Sequence, residues 1–547
     1  MTQSADTPSR PGAFSNPYDR VLNIWPERFT AVQAVVVAII GYCLVHAGLR
    51  LAFSDVIAVD WVAHTLEVQS LDLYQNPKYP PAPAWALWLV TQVTGPGAFP
   101  TLIVKYVTLA LAYVAYFFAA RRVLRHDGWA VFATLSILAL YQLGWNVHEG
   151  MSHTLFLILA APVTLLAFLE LHARPRLVAY VWFGAAIGLG ALGKQSYFAG
   201  LAALLAAAAM QPGYRRALLN PRIAVSVAIA LAMALPHYVA VFSSGYDFAG
   251  AASATLSRPG LGDWGAQVLA GLTSVVVAPL LFLSPLLPLM VLIAPRAFAF
   301  ANLRHPGGHG VPGADPVRLV RDALLAGLVI LAVPVLVAGV AHYGERWMHP
   351  VMLLAPIWFT AGVRAAHPPP ARVKALLWTF IALGALVLGW RAASFIYPDE
   401  ATCGRCRLEV PYKELASRLT ETGFTGGTIL AGDEHIAGNL RTHFPGARIV
   451  SLTYDYYDPP PAVRDVAAEA AEAAEAAGQC LVVWRTQDRE ATALVPPKAL
   501  AYAGLSGIPE TAKVFAFSLP HGHLFRPDDY AVSRFAGVLM DGSGPCR

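Results

Sequence analysis

The stretch TAVQAVVVAIIGYCLVHAGLRLAF at residues 30–53, followed at 54–81 by SDVIAVDWVAHTLEVQSLDLYQNPKYPP, decides the fold. The first segment is apolar and long enough, as a helix, to cross about 30 Å of hydrocarbon. It is too long for a secretory signal and lacks a small-residue cleavage site, so we predict that it stays in place as an anchor. The second segment is polar, and it therefore lies outside the membrane.

The composition of the whole chain agrees with a membrane protein. Of 547 residues, 56% are hydrophobic and only 13% are charged, and the mean hydropathy is +0.51. Soluble domains carry about 25% charged residues, so this chain has too little polar surface for a soluble fold or a disordered one. A net charge of +5 spread over this length is no basic patch, which argues against a nucleic-acid partner. The composition predicts a polytopic membrane protein with membrane lipids around it.

Apolar runs divide the first three quarters of the chain into about 11 predicted spans. They lie near 30–53, 99–120, 129–144, 153–172, 177–193, 196–211, 223–242, 266–293, 322–341, 350–363 and 375–395. The stretch 82–95 is also apolar, but as a helix it is only about 21 Å long. We therefore predict an interfacial or re-entrant helix there.

Basic residues orient these spans, because Arg and Lys concentrate in cytoplasmic loops. If the N-terminal tail is cytoplasmic, all the basic loops fall on that side; they contain Arg121, Arg122 and Arg125, Arg174 and Arg176, Arg215, Arg216 and Arg222, Arg296, Arg304, Arg318 and Arg321, and Arg364, Arg372 and Lys374. An odd number of spans then places the C-terminus outside. The predicted organisation is a cytoplasmic tail (1–29), a transmembrane domain (30–395) with a first external loop (54–83), and an extracytoplasmic domain (396–547).

The last domain has the pattern of a small α/β fold. Buried strands are predicted at 428–432, 447–452, 479–485 and 512–519, with helical segments between them, including 462–477. Such alternation predicts a parallel sheet. Four of the five cysteines, Cys403, Cys406, Cys480 and Cys546, fall in this domain, where an oxidising periplasm would favour disulfides. For the Cys403–Cys406 pair a structural disulfide is favoured over half of a metal site. Cys43 in the first span is predicted to be a small core residue.

Polar residues that suit chemistry collect in the external loops, and the first loop is the richest. Asp60, His64 and Glu67 are spaced by four and three, which places them on one face of a helix. That face has the residue types of a general base or a divalent metal site. A solvated amphipathic helix explains the same spacing, and for Glu67 and Asp72 we favour that explanation.

The later external loops add further candidate substrate-binding residues. His148, Glu149 and His153 lie in one loop, where ordinary loop polarity and helix capping are the alternative. Lys194 follows a span and suits a phosphate, although snorkelling to the interface is common for such a lysine. Arg346 suits bidentate phosphate recognition unless it pairs with a neighbouring acid, and Glu345 and His349 lie beside it.

These residues resemble, in order and spacing, the polytopic lipid-linked-sugar glycosyltransferases of the GT-C fold. The resemblance is to the bacterial branch that is similar to protein O-mannosyltransferases and to the aminoarabinose transferase that modifies lipid A. The matching motifs are Asp60, then Tyr74 and the segment Lys78-Tyr79-Pro80-Pro81 before the short helix, Ser152-His153-Thr154, Leu192-Gly193-Lys194-Gln195-Ser196, and Arg346-Trp347-Met348-His349-Pro350. The segment ILAGDEHIAGNLRTHFP also looks like the C-terminal domain of these enzymes. Many relatives have Asp-Glu where this chain has Asp60-Trp61, so the second acid is lost here or replaced by His64 or Glu67.

The resemblance implies a GT-C-like α-helical membrane enzyme that transfers a sugar from a polyprenyl-phosphate donor to a glycan, lipid or protein acceptor. It implies Asp60 as the base of a single inverting displacement. Lys78, Lys194 and Arg346 are the external cations expected to stabilise the departing phosphate, and the other expected substrate-binding residues are Tyr79, His64, Glu149, His153 and Glu345. No cofactor is implied with certainty, and a divalent metal is left open. A lipid or sugar transporter is the alternative function, but we find neither an inverted repeat nor midplane charges. A non-catalytic scaffold would leave the polar cluster without a purpose. The expected location is the bacterial inner membrane.

Overall fold

The structure is a computed structural model. It describes residues 17–71, 79–247, 250, 255–257, 260, 263–304, 313–399, 407–453, 478–486, 495–503, 506–521, 525, 531–542 and 546. The predicted helix at 462–477 and Lys78, Tyr74, Asp72, Cys403 and Cys406 lie outside these residues.

Helices make up the described part of the chain as far as residue 396. They are α1 Asp19–Leu22, α2 Ala31–Phe53, α3 Val59–Glu67, α4 Ala82–Thr94, α5 Ala98–Leu124, α6 Asp127–Ser136, α7 Val147–Glu149, α8 His153–Ala173, α9 Leu177–Gly193, α10 Tyr197–Ala209, α11 Pro212–Leu218, α12 Ile223–Ser243, α13 Trp264–Phe282, α14 Leu286–Ile293, α15 Phe300–Arg304, α16 Pro316–Ala338, α17 His349–Met352, α18 Ala355–Ala365 and α19 Pro370–Ile396. A π-helical segment, Gln142–Asn146, precedes α7, and short 3-10 turns lie at Ile137–Ala139, Pro295–Phe298 and Glu345–Trp347.

Seven helices of the described chain are long and apolar enough to cross a membrane, namely α2, α5, α8, α12, α13, α16 and α19. They coincide with seven of the predicted runs. The other four predicted runs form short or interrupted helices. The short helix predicted at 82–95 is α4, which packs against α5, α8 and α9. The chain is a multi-pass membrane protein of mostly helical fold.

Two of the predicted runs are interrupted where they touch each other. The run 129–144 is α-helical only as far as Ser136, and the run 266–293 is interrupted at Pro285, between α13 and α14. Proline has no backbone N–H for a helical hydrogen bond, which explains the second interruption. Leu140 forms an isolated antiparallel bridge with Pro285. Neither of these two predicted spans is therefore a single α-helix.

The C-terminal domain contains a five-stranded sheet with the order β2-β1-β3-β5-β4. Its strands are β1 Gly427–Ala431, β2 Arg448–Ser451, β3 Gln479–Arg485, β4 Lys513–Pro520 and β5 Val532–Asp541, and its helices are α20 Tyr412–Glu421, α21 Glu434–His443 and α22 Pro497–Tyr502. The first three strands are parallel, but β5 runs antiparallel to both β3 and β4. The sheet is therefore mixed, and the prediction of a wholly parallel one was wrong, because β5 was not recognised. A disulfide joins Cys480 to Cys546, and Cys43 is buried as predicted.

The first external loop is built into the C-terminal domain. The backbone N–H of Ile57 donates to Asn439 Oδ1 at 2.7 Å, and Gln69 exchanges two 2.9 Å hydrogen bonds with the backbone of Ile449. Val56 and Leu66 belong to the same apolar cluster as the inner faces of β1 and α21. Helix α3, which carries Asp60, is thus held between the membrane helices and the C-terminal domain.

Candidate functional site

Asp60 lies in the first turn of α3 with an exposed side chain. Its Oδ2 accepts a hydrogen bond of 2.5 Å from the backbone N–H of Met151. Met151 has a positive φ of 63°, and a Cβ on Gly150 would lie 2.6 Å from the same Oδ2. The loop between α7 and α8 is therefore shaped around this carboxylate and fixes one of its oxygens. Among the described residues, no hydrogen bond to the other oxygen is found, and a carboxylate oxygen of this kind can accept a proton.

Lys194 follows the last residue of α9, and its Nζ donates to Thr154 Oγ1 at 2.7 Å. Burial lowers the pKa of Lys194 to about 8, while the negative charge of Asp60 raises it and the positive charge of Arg346 lowers it. Arg346 is exposed in the 3-10 turn that precedes α17. The two cations and the carboxylate therefore act on one another within a single electrostatic site.

Tyr79, immediately before α4, faces the same group. Its ring centroid lies 4.2 Å from that of His153. Burial raises the pKa of Tyr79, the charge of Asp60 raises it further, and the charge of Arg346 lowers it. A hydroxyl that stays protonated beside a carboxylate and a guanidinium is a hydrogen-bond donor suited to a phosphate or a sugar oxygen.

His64, Glu67 and His153 form a buried group behind Asp60. His64 Nδ1 lies 2.5 Å from Glu67 Oε2, and the ring centroids of His64 and His153 are 4.5 Å apart. The Nε2 atoms of both imidazoles are buried and lack a hydrogen-bond partner in the described structure. Glu67 is only 6% exposed and is paired with His64, so the explanation of this residue as part of a solvated face was wrong. Within the described ranges, no three His, Cys, Asp or Glu side chains are grouped so as to hold a metal ion.

The two remaining acids of the candidate set are engaged by other side chains. Glu149 Oε1 accepts a hydrogen bond of 2.6 Å from Arg391 Nη1, and Glu345 Oε1 lies 3.4 Å from Gln142 Nε2. Glu149 is still 48% exposed at its side chain and is two residues from the Met151 amide that holds Asp60. The ion pair therefore anchors the loop beside the site.

The sequence analysis missed a group of buried cations near the outer ends of the helices. Arg50, Lys105 and Arg391 are each less than 5% exposed. Lys105 Nζ donates to the carbonyl of His148 at 2.8 Å, and the His148 ring also stacks on His46 at 3.7 Å. These contacts fix the position of α7 against α2 and α5. In the sequence, each of these three buried cations is recognisable as a single charge inside an apolar run, close to the predicted outer end of that run.

Glu434 was also missed, because it comes from the C-terminal domain. It is the first residue of α21, which packs closely on α3: a Cβ on Gly438 would lie 2.7 Å from Val62 Cβ. Burial raises the pKa of Glu434, and the charges of Asp433 and Asp60 raise it further. The C-terminal domain thus brings a second carboxylate toward Asp60, from a position about 370 residues later in the chain.

Comparison with known proteins gives matches over most of the chain. Residues 78–239 match the family model described as dolichyl-phosphate-mannose-protein mannosyltransferase. Two lipopolysaccharide core galacturonosyltransferases of Rhizobium johnstonii are each 27% identical: RgtB over 77% of this chain and 83% of its own length, and RgtA over 92% and 98%. The crystal structure of ArnT from Cupriavidus metallidurans bound to undecaprenyl phosphate is 14% identical and shares the fold, with a TM-score of 0.54 over 92% of this chain and 97% of that one.

Proposed function

We propose that this membrane glycosyltransferase of the GT-C fold transfers a sugar from a polyprenyl-phosphate donor to a glycan or lipid of the cell envelope. The class of enzyme follows from the relatives, which are membrane glycosyltransferases, and they confirm the predicted glycosyltransferase over the transporter. The donor is inferred from the lipid phosphate bound by ArnT together with the cations around Asp60. That pairing of one held carboxylate with Lys194 and Arg346 is the observation that carries the proposal.

The reaction is a single displacement at the anomeric carbon. Asp60 accepts the proton of the acceptor hydroxyl while that oxygen attacks the anomeric carbon, and the bond from this carbon to the phosphate oxygen breaks on the opposite side. The polyprenyl phosphate leaves as a monoester, so negative charge develops on its oxygen. Lys194 and Arg346 stabilise this charge together with Lys78, and Tyr79, the neighbour of Lys78 in the sequence, donates a hydrogen bond to it. One base and one displacement give inversion of configuration.

The surrounding residues keep the base in position. Met151 N–H binds one oxygen of Asp60, which leaves the other oriented toward the acceptor. Behind it, Glu67 orients the His64 imidazole, whose ring packs against that of His153 next to Tyr79. Glu434 approaches from the C-terminal domain and takes part in binding the acceptor. Glu149 and Glu345 support the loops around the site.

For the substrates, we infer a galacturonosyl donor and a lipopolysaccharide core acceptor. Both relatives that align with most of the chain are named for that transfer. A uronic acid donor carries a carboxylate in addition to its phosphate, and a site with Lys194 and Arg346 provides a cation for each. On this proposal the N-terminal tail is cytoplasmic, the enzyme lies in the inner membrane, and the C-terminal domain covers the site on the outer face.

The test is the envelope glycan of a strain that lacks the gene. The strain is complemented with the wild-type chain, with Asp60→Asn, or with Asp55→Asn as a matched change at an exposed position of the same loop. Mass spectrometry of the lipopolysaccharide core is expected to show a hexuronic acid restored by the wild type and by Asp55→Asn but not by Asp60→Asn at equal expression. Full restoration by Asp60→Asn would refute the assignment of the base. A missing residue of another mass would refute the assignment of the sugar only.

A further inference from the structure

A cavity of about 540 Å³ lies between α5, α8 and α9 at the ends of these helices that are remote from Asp60. Arg122, Glu170, Arg174 and Arg176 form its polar rim. Helix α8 begins with His153 at the candidate site and ends at Ala173, so the two sites are separated by about 30 Å of helix. We propose that this cavity binds the headgroup of an anionic phospholipid in the opposite leaflet, outside the glycosyl-transfer site.

The charges of the rim fit a phosphate ester. Arg122 Nη2 lies 3.7 Å from Glu170 Oε2, and Arg174 Nη1 lies 3.5 Å from Glu170 Oε1. A single carboxylate is therefore shared by two guanidinium groups, and Arg176 adds a third cation. The rim has a surplus of two positive charges. Because the side chains of Arg122 and Arg174 remain 47% and 69% exposed, their other N–H donors are available to an anion.

The wall beneath the rim fits an acyl chain. It is formed by Val163, Leu166, Ala167, Val178 and Trp182. Trp182 and Val178 lie on the apolar helix α9, and they are 67% and 63% exposed. Tryptophan near a helix end is typical of the membrane interface, and basic pockets between membrane helices bind anionic headgroups. A free phosphate has no apolar part to pack against this wall, whereas a phospholipid has its acyl chains, so we assign the cavity to a lipid.

A second cavity of about 610 Å³ extends the basic surface. It shares Arg122 with the first and adds Arg121, Arg125 and His126. Arg121 is paired with Asp127 at 2.6 Å, and the rim of the second cavity keeps a surplus of two positive charges, as the first does. Of these two cavities, the first is the one lined by the exposed apolar side chains of Trp182 and Val178, and the lipid is therefore placed there.

The test is lipid retention by the purified full-length chain in native mass spectrometry, with nanodiscs of phosphatidylcholine and increasing phosphatidylglycerol. The variant Arg122→Gln/Arg174→Gln/Arg176→Gln is compared with Arg215→Gln/Arg216→Gln/Arg372→Gln, which removes three exposed arginines of other predicted cytoplasmic segments. Each rim arginine is expected to contribute about fivefold to phosphatidylglycerol retention, so the rim variant, which lacks three, should lose about a hundredfold while the control variant stays within about twofold.

Two further arms keep the result interpretable. Glu170→Gln removes the competing carboxylate and is expected to increase phosphatidylglycerol retention, an outcome that a merely misfolded protein would not give. Inorganic phosphate at millimolar concentration is expected not to displace the lipid. Equal losses in the rim and control variants would show a nonspecific charge effect and overturn the proposal. Displacement by inorganic phosphate would overturn the assignment to a lipid.

Discussion

The pH profile of transfer is expected to report the charge on Lys194. Protonated Lys194 binds the donor phosphate, and its pKa in the free enzyme is about 8. The protonated share is then about nine-tenths at pH 7 and one-tenth at pH 9, so kcat/KM should fall about tenfold between these values. The sign follows from a lowered lysine pKa: the favourable charge is present below pH 8 and is lost as the pH rises.

Two variants make this profile specific to Lys194. Lys194→Arg keeps a cation at all accessible pH values, and the alkaline decrease is expected to disappear even if the rate at pH 7 is lower. Thr154→Val removes the oxygen that accepts a hydrogen bond from the ammonium, which destabilises the charged form and should move the decrease to lower pH. Initial rates with a labelled polyprenyl-phosphate sugar, with folding followed by tryptophan fluorescence at each pH, give the measurement. An unchanged alkaline decrease in Lys194→Arg would refute the reasoning.

Three further substitutions test the packing around the site. Gly150→Ala places a methyl group against the Asp60 carboxylate and should lower kcat at least about tenfold with little change in thermal stability; an unchanged kcat would contradict the role of this loop. Gly438→Ala pushes α21 away from α3 and should destabilise the protein by about 1–3 kcal/mol, measured by thermal unfolding; wild-type stability would contradict the tight packing. Cys480→Ser removes the disulfide to Cys546, which joins residues 66 positions apart, and should lower the stability of the C-terminal domain by about 4 kcal/mol. Equal protease resistance of this domain with and without the disulfide would contradict that stabilisation.

The long helices were predictable because their apolar length is a local property. The runs at 30–53 and 99–120 appear as α2 and α5 within a few residues. The contact of Leu140 with Pro285 was not predictable, because it joins segments that are distant in the sequence. Strand β5 was missed because Gly537 and polar residues interrupt its apolar pattern, and its place in the sheet depends on pairing with β3.

The residues of the candidate site also fall into those that the local sequence predicts and those that depend on distant contacts. Asp60, Lys194 and Arg346 were predicted from loop position and residue type, and the fold brings them into one electrostatic group. Burial of Glu67 beside His64 depends on how α3 packs in the folded chain, and a single loop sequence contains no sign of that packing. The approach of Glu434 to Asp60 depends on the same packing. Residues supplied by contacts between the two parts of the chain were thus the ones that sequence reasoning could not find.

The central claim is tested most directly by transfer with purified protein in proteoliposomes. The donor is a radiolabelled galacturonosyl polyprenyl phosphate, the acceptor is lipopolysaccharide core from the strain without the gene, and the chains are the wild type, Asp60→Asn and Asp55→Asn. Transfer is expected for the wild type and for Asp55→Asn, with a loss of about 10³-fold in kcat for Asp60→Asn while donor binding is retained. Transfer by Asp60→Asn at the wild-type rate would contradict the central claim.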